Sequence, residues 1–333
     1  MHMKKIQYTI YKRETGNASG KAKADAFDIA ERLGFASSYN PSSKRPIRIV
    51  QQYLSLGKFK NKIVFFQYPA VSEQLMTRYF HSVRNSDTVT IGLVHDLESI
   101  QGVDDWNVKK EIGFIRNFDY LIVHNSKMEE YVRKIGYKGK TIDLGVFDYL
   151  CDFKHPIYEG EFSYRIAFAG NLEKASFTSQ LKSLGIAFNL YGKIEDPKKV
   201  ESEDVKYKGL LPSDQIQYLL TGDYGLVWDG NSIESCSGIQ GEYLKYNDPH
   251  KLSLYIAAGK PVITWKKAAI ADFIAEHQIG FTVNSLTEIT KDMLAENYSV
   301  YKQNVMALRE KVTNGYYLTT AVNTCLKEIS RKG

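Results

Sequence analysis

The sequence predicts an α/β protein: two Rossmann-like domains, each with a parallel sheet, facing a central cleft. Three observations carry this. Short apolar runs alternate with helix-length amphipathic segments from one end to the other, the pattern of βαβ crossovers whose sheets are buried on both faces. The rhythm breaks once, between Phe147 and Phe162, in an aromatic and acidic stretch holding His155-Pro156 and Gly160. The length of 333 residues suits about two domains at roughly 100–200 residues each.

In the first half the strand candidates are Ile6–Tyr11, Lys62–Phe66, Thr88–Val94, Tyr120–Val123 and Thr141–Leu144. Helices are expected at Ala22–Leu33, Val71–Val83, Lys109–Arg116 and Met128–Ile135, with Ser126 and Glu129 as a capping box for the last. In the second half strands are expected at Arg165–Ala169, Ala187–Tyr191, Tyr224–Trp228, Pro261–Thr264 and Gly280–Val283. Helices fit Phe177–Leu184, Ser213–Leu219, Pro249–Ala258, Ala269–His277 and Ser285–Met293, the last with a Ser285–Glu288 capping pattern. The expected division is a domain over 1–148, a linker over 149–162, a second domain over 163–300 and a helical tail over 301–333 that crosses back to the first domain.

With 43% hydrophobic and 25% charged residues the composition is globular, which excludes fibrous and disordered classes. The net charge of +6 suits an anionic ligand or peripheral contact with an anionic membrane, but acids and bases are too evenly mixed for a nucleic-acid protein. Cys151, Cys236 and Cys325 are too widely spaced for a zinc site or a disulfide framework, which points to a reducing compartment. No secretory h-region and no run of 18 apolar residues is found, so a cytoplasmic location is expected.

Ligands of parallel α/β sheets sit beyond the carboxyl ends of the strands, which tells where to look. After the first strand, Arg13 to Lys21 forms a polar loop feeding a helix N-terminus, where exposed N–H groups favour an anion. Thr15, Gly16, Asn17 and Ser19 are its candidate ligand contacts; an ordinary mobile loop is the equal alternative. It matches neither a Walker A loop nor a dinucleotide glycine fingerprint. Tyr68 follows the next strand, and His95-Asp96-Leu97-Glu98 the one after. Asp96 or Glu98, with His95 third, could take a proton from an acceptor hydroxyl; an N-cap by Asp96 and a structural His95 is the alternative. In the second half Gly170-Asn171 and Lys174 follow a strand, and Trp228 to Gly238 forms a dense polar loop. The next helix opens Asp248-Pro249-His250-Lys251, with Asp248 a natural N-cap and Pro249 suited to the first helical position. Lys251 stands where the helix dipole disfavours a cation, a mismatch that a bound pyrophosphate would reverse.

No Asp-x-Asp occurs, so the usual divalent-metal clamp for a sugar nucleotide is missing and no metal or other cofactor is expected. Glu234 and Glu242 have the spacing of one class of retaining glycosyltransferases. That class places its second Glu inside the following helix, where this chain has Leu254, so the spacing reads as coincidence.

At these residues the chain resembles bacterial β-1,6-galactofuranosyltransferases of O-antigen and surface polysaccharide assembly. The likeness rests on Tyr224-Gly225-Leu226-Val227-Trp228-Asp229-Gly230 through Gly238, on Tyr243 to Lys251, and on Ala268 to Ile274. Weaker echoes are Lys21-Ala22 with Asp25, His95-Asp96, His124-Asn125, Phe147 to Leu150 and Ala169 to Leu172. A more distant likeness is to the glucosyltransferases that extend sugar on serine-rich adhesins. Together these imply a GT-B fold, nucleotide binding chiefly by the second domain, and a homo-oligomer. They imply a metal-independent, inverting transfer of galactofuranose from its UDP donor to a sugar hydroxyl of a glycan acceptor, free or lipid-linked. Asp96 or Glu98 would be the base, Lys174, His250 and Lys251 would hold the UDP, and Gly170, Asn171, Asp229, Glu234, Ser237 and Gly238 would line the donor site. Transfer of glucose or N-acetylglucosamine to a glycoprotein is the first alternative, and a catalytically silent glycan-binding subunit the second. A nicotinamide oxidoreductase is disfavoured, because no dinucleotide glycine fingerprint follows any strand.

Overall fold

The computed structural model describes residues 3–8, 18–38, 42, 44–69, 73–83, 86–102, 107–152 and 155–332. Two compact units emerge. The first takes in the N-terminal strand, Ser19–Gly145 and the C-terminal segment from Tyr317; the second is essentially Val146–Tyr316.

The first unit holds β1 (Lys5–Gln7), β2 (Ala36–Ser37), β3 (Ile63–Tyr68), β4 (Val89–Val94), β5 (Tyr120–Val123) and β6 (Lys140–Asp143). They form one parallel sheet in the order β2-β1-β3-β4-β5-β6. All six residues of β3 are buried, as a strand covered on both faces requires. An aromatic cluster fills one side: Tyr8 lies 4.8 Å from Phe66, and Phe118 5.5 Å from Phe66. Gly92 makes room for it in β4, since a Cβ there would come within 2.9 Å of the Phe118 ring.

The second unit holds β7 (Arg165–Ala169), β8 (Ala187–Tyr191), β9 (Val205–Tyr207), β10 (Tyr224–Val227), β11 (Val262–Trp265) and β12 (Gly280–Val283). Their parallel order is β12-β11-β10-β7-β8-β9. Counted within the unit this is 6-5-4-1-2-3, the doubly wound order with its switch point between β7 and β10. The crevice beyond the carboxyl ends of those two strands is therefore the natural ligand position.

Several local expectations need correction. Asn125, not Ser126, caps the helix Ser126–Lys134, its side chain accepting from the Met128 N–H at 3.0 Å. Pro249 is itself the N-cap of the helix His250–Ala257, so Asp248 stands one residue before the cap. Ser176–Ser183 is a 3-10 helix rather than an α-helix. Ser285–Met293 is broken, because Thr290 starts a new helix by accepting from the Met293 N–H. The helix Arg45–Ser55 was unexpected; Pro46 sits in its first turn, where the missing N–H costs nothing.

Helix Tyr298–Asn314 ends at Gly315, whose φ of +86° suits the left-handed C-cap. The last helix, Tyr316–Lys332, groups with the first unit from Tyr317 onward. Glu328 pairs with Lys140 there, and Tyr317 packs on Gly145, where a Cβ would come within 3.2 Å of the ring. No helix among the described residues is long and apolar enough to cross a membrane.

Candidate active site

In the second unit the side chains at the β7/β10 switch point converge. Lys251 Nζ donates to Asp229 Oδ1 at 2.7 Å and lies 5.0 Å from the centre of the Phe168 ring. Gly170 completes the crevice: a Cβ there would stand 3.2 Å from Lys251 Cε, so any other residue would crowd the lysine. One turn on from Lys251, Tyr255 fixes the helix to both strand ends. Its buried hydroxyl donates to Leu226 O at 3.0 Å and accepts from the Ala169 N–H at 2.9 Å. Gly225 leaves the space for that ring, a Cβ there meeting it at 2.1 Å. A cation in the first turn of a helix, half-buried and held beside a carboxylate at a switch point, is equipped to receive a pyrophosphate.

The polar loop after β10 is folded rather than open. Gly230, at φ +109°, turns the chain so tightly that a Cβ would lie 2.2 Å from Ser237 O. Trp228 Nε1 donates to Ser232 O at 2.9 Å, and Gln180 Nε2 to Asn231 O at 2.8 Å. Ser237 caps the short helix Gly238–Tyr243 by position only, and Gly238 is exposed at φ +78°. Glu234 accepts from Ser285 Oγ at 2.9 Å, which ties it to the segment after β12. Glu242 is exposed and pairs with Lys245, so the two glutamates do not act as a pair. His250 stacks on Tyr149 at 5.0 Å, and burial of its neighbourhood makes it part of an aromatic wall. Asn171 and Lys174 are exposed in the turn after β7, where Asn171 Oδ1 accepts from the Glu173 N–H at 3.0 Å.

In the first unit a separate cluster forms beyond β3 and β4. Gln67 Nε2 donates to Lys23 O at 3.1 Å, which leaves Oε1 to accept from His95 Nε2 at 2.7 Å. The arrangement puts the imidazole proton on Nε2, so that nitrogen cannot serve as a base. Asp96 is half-buried, with Oδ1 accepting from Gln101 Nε2 at 3.1 Å. Glu98 opens a short helix, Glu98–Gln101, and is also half-buried. Burial, then the nearby Glu111 and Asp96 carboxylates, push its carboxyl up to about 7, against the opposing pull of Lys23 and Lys110. Glu111 is fully buried, accepting from the Tyr68 hydroxyl and from the Ser99 N–H at 2.8 Å. Burial raises the Glu111 carboxyl, while those donors hold it down. Tyr68 is thus a buried support beneath the carboxylates rather than part of a loop. His124, fully buried, donates from Nε2 to Val94 O at 2.9 Å, and burial lowers it to about 4.

Thr15, Gly16 and Asn17 lie outside the described residues, and Ser19 falls in the first turn of the helix Ala18–Arg32. Lys21 on that helix is buried and committed to Asp25, at 2.6 and 2.5 Å from its two oxygens. Glu111, Lys23 and Tyr255 were missed by sequence reasoning. For Tyr255 a signal exists, its i+4 spacing from Lys251; the other two join their cluster only through tertiary structure.

Family models for the N-terminal and C-terminal domains of glucosyltransferase 3-like proteins match residues 4–146 and 166–325. The β-1,6-galactofuranosyltransferase WbbI of Escherichia coli is 30% identical over 95% of this chain and 96% of its own. The chain belongs to the glucosyltransferase 3-like family. Within that family, glucosyltransferase 3 of Streptococcus gordonii is 23% identical over 92% of this chain and 94% of its own. Among solved structures, Anabaena HepE in complex with UDP-glucose superposes with a TM-score of 0.61 at 10% identity, covering 99% of this chain and 100% of that one. AviGT4, a glycosyltransferase involved in avilamycin A biosynthesis, gives 0.61 at 11% identity over 99% and 98% of the two chains. The family member described here is a glycosyltransferase, and its two parallel six-stranded sheets are those of the GT-B fold.

Proposed function

We propose that this enzyme transfers galactofuranose from UDP-galactofuranose to a sugar hydroxyl of a growing surface glycan. The near full-length match to a galactofuranosyltransferase carries the reading, at 30% identity over 95% of the chain. The Lys251 crevice supplies its chemistry. In this reading the pyrophosphate of the donor takes Lys251 from Asp229, and the dipole at the start of His250–Ala257 shares the charge that develops on the departing UDP. Leaving-group stabilisation by a lysine and a helix start makes a divalent metal dispensable. Asp229 and the loop to Gly238 then border the donor sugar or ribose.

Displacement at the anomeric carbon by the acceptor oxygen inverts an α-linked donor to a β-linked product, and needs one base for the acceptor hydroxyl. Glu98 is the better candidate of the three proposed, because its carboxyl titrates near 7 and so combines basicity with partial ionisation at neutral pH. Asp96 tunes it, and His95, held through Nε2, positions the strand end. A lipid-linked acceptor would bring the enzyme, acting as a homo-oligomer, to a membrane surface, and its net charge of +6 favours an anionic one.

The test is UDP release with UDP-galactofuranose, UDP-glucose and UDP-N-acetylglucosamine, in the presence of a chelator. UDP-galactofuranose should be consumed fastest. Preference for UDP-glucose would instead support the second reading, a transferase extending glycoprotein glycans, which the match to glucosyltransferase 3 favours.

A further inference from the structure

A second cavity lies in the nucleotide-type unit, at the amino ends of β7, β10 and β11, away from the carboxyl ends that carry Lys251. Its volume is about 590 Å³, and five basic side chains and three carboxylates line it. That volume falls within the usual range for small-molecule sites, roughly 300–1,000 Å³. Lys260, only 4% exposed, donates from Nζ to Tyr158 O at 3.2 Å and lies 5.2 Å from the Tyr158 ring centre. Lys302 donates from Nζ to Gly259 O at 2.7 Å. Arg165 donates to the Phe188, Asn189 and Asp204 oxygens at 3.2, 3.3 and 3.4 Å. Every one of these acceptors is neutral, and none of the three cations forms an ion pair among the described residues.

A buried and a half-buried ammonium group that repel each other, both hydrogen-bonded to neutral acceptors, sit in a lining whose five cations outnumber its three carboxylates. Burial, then repulsion from Lys302, lowers Lys260 to about 8, with Asp223 and Glu159 offsetting part of the effect. Asp223 is itself largely engaged, Oδ2 accepting from Ser163 N and Oγ at 3.1 Å and from the Arg165 N–H at 2.8 Å. We propose that this cavity binds a small phosphate-bearing molecule, with its phosphate seated between Lys260 and Lys302. The tyrosines and hydroxyls of the lining leave room for a group the size of one sugar. The site lies at the far end of the helix that carries Lys251, and it is independent of the donor crevice.

Isothermal titration of the full chain with inorganic phosphate and with a hexose 1-phosphate tests this. Both should bind, and Lys260→Met or Lys302→Met should each weaken binding at least tenfold (~1.4 kcal/mol), while Lys251→Ala leaves it in place. Tighter binding of the hexose phosphate identifies a sugar phosphate as the ligand; equal affinities identify free phosphate, and both support the site. In the unmodified protein, phosphate should also slow acetylation of Lys260 by acetic anhydride, which needs no folded variant. Binding that survives both methionine substitutions, or is lost only with Lys251→Ala, overturns the proposal, as does unprotected Lys260.

Discussion

The base assignment makes the most discriminating prediction, because Asp96 and Glu98 respond oppositely to substitution. Glu98 titrates near 7 through burial and the neighbouring Glu111 and Asp96 carboxylates. If it is the base, kcat/KM rises with pH through an acid limb centred near 7, since that parameter reports the free enzyme. Asp96→Asn removes one like charge, so the limb should move to lower pH. For a charge partly screened by solvent the shift is roughly half a pK unit, or about 0.7 kcal/mol. Lys23→Met removes a cation that favours the ionised form, so the limb should move upward. Glu98→Gln should reduce kcat/KM by about 10²–10⁴-fold, the usual weight of general-base catalysis. The assay is UDP release from about pH 5 to 9 for the four proteins. Loss of turnover at every pH in Asp96→Asn, with Glu98→Gln still active, would refute the reasoning and give the role to Asp96.

Three further outcomes follow from the geometry. Between the ordinary carboxylate range and about 7 the folded protein holds a Glu98 proton that the unfolded chain has lost, so the associated stability is lost as pH rises through 7. Glu98→Gln should therefore gain stability over the unmodified protein at pH 8 relative to pH 5, by about 1 kcal/mol once solvent screening of a half-exposed group is allowed for; equal differences in thermal unfolding at the two pH values would contradict this. Tyr255→Phe strips a bond from each of the Ala169 N–H and Leu226 O, and should cost about 1–3 kcal/mol of stability in denaturant unfolding. Gly192→Ala would place a Cβ 1.7 Å from Gly170 O at φ +141°, so thermal unfolding should show a loss of at least ~2 kcal/mol; an unchanged transition would contradict the close approach of the two loops.

The sheets were legible in the sequence because their strands are continuous apolar runs. Thr88–Val94 and Val89–Val94 differ by one residue, and Arg165–Ala169 was read without change. Short or charged elements were not legible. Val205–Tyr207 is a three-residue edge strand with Lys206 exposed at its centre. Helix Arg45–Ser55 turns Ile47, Val50 and Leu54 outward, at 48%, 55% and 77% exposure, so its apolar residues mark no core face. At the site, the misfit of Lys251 with its helix dipole was visible from local sequence. Its pairing with Asp229 was not, because the two stand 22 positions apart and meet only when the helix His250–Ala257 packs back against β10. Glu111 was hidden for the same reason: nothing near it marks the contact with Tyr68, 43 positions away.

The central claim is that the β7/β10 crevice is the donor site, and calorimetric titration of UDP tests it most directly. Lys251→Ala removes a charge-assisted contact worth about 1.5–3 kcal/mol and leaves the Asp229 carboxylate facing the phosphates. UDP affinity should fall by roughly 10–150-fold, with part recovered when Asp229→Asn is added. Unchanged UDP affinity in Lys251→Ala would contradict the account.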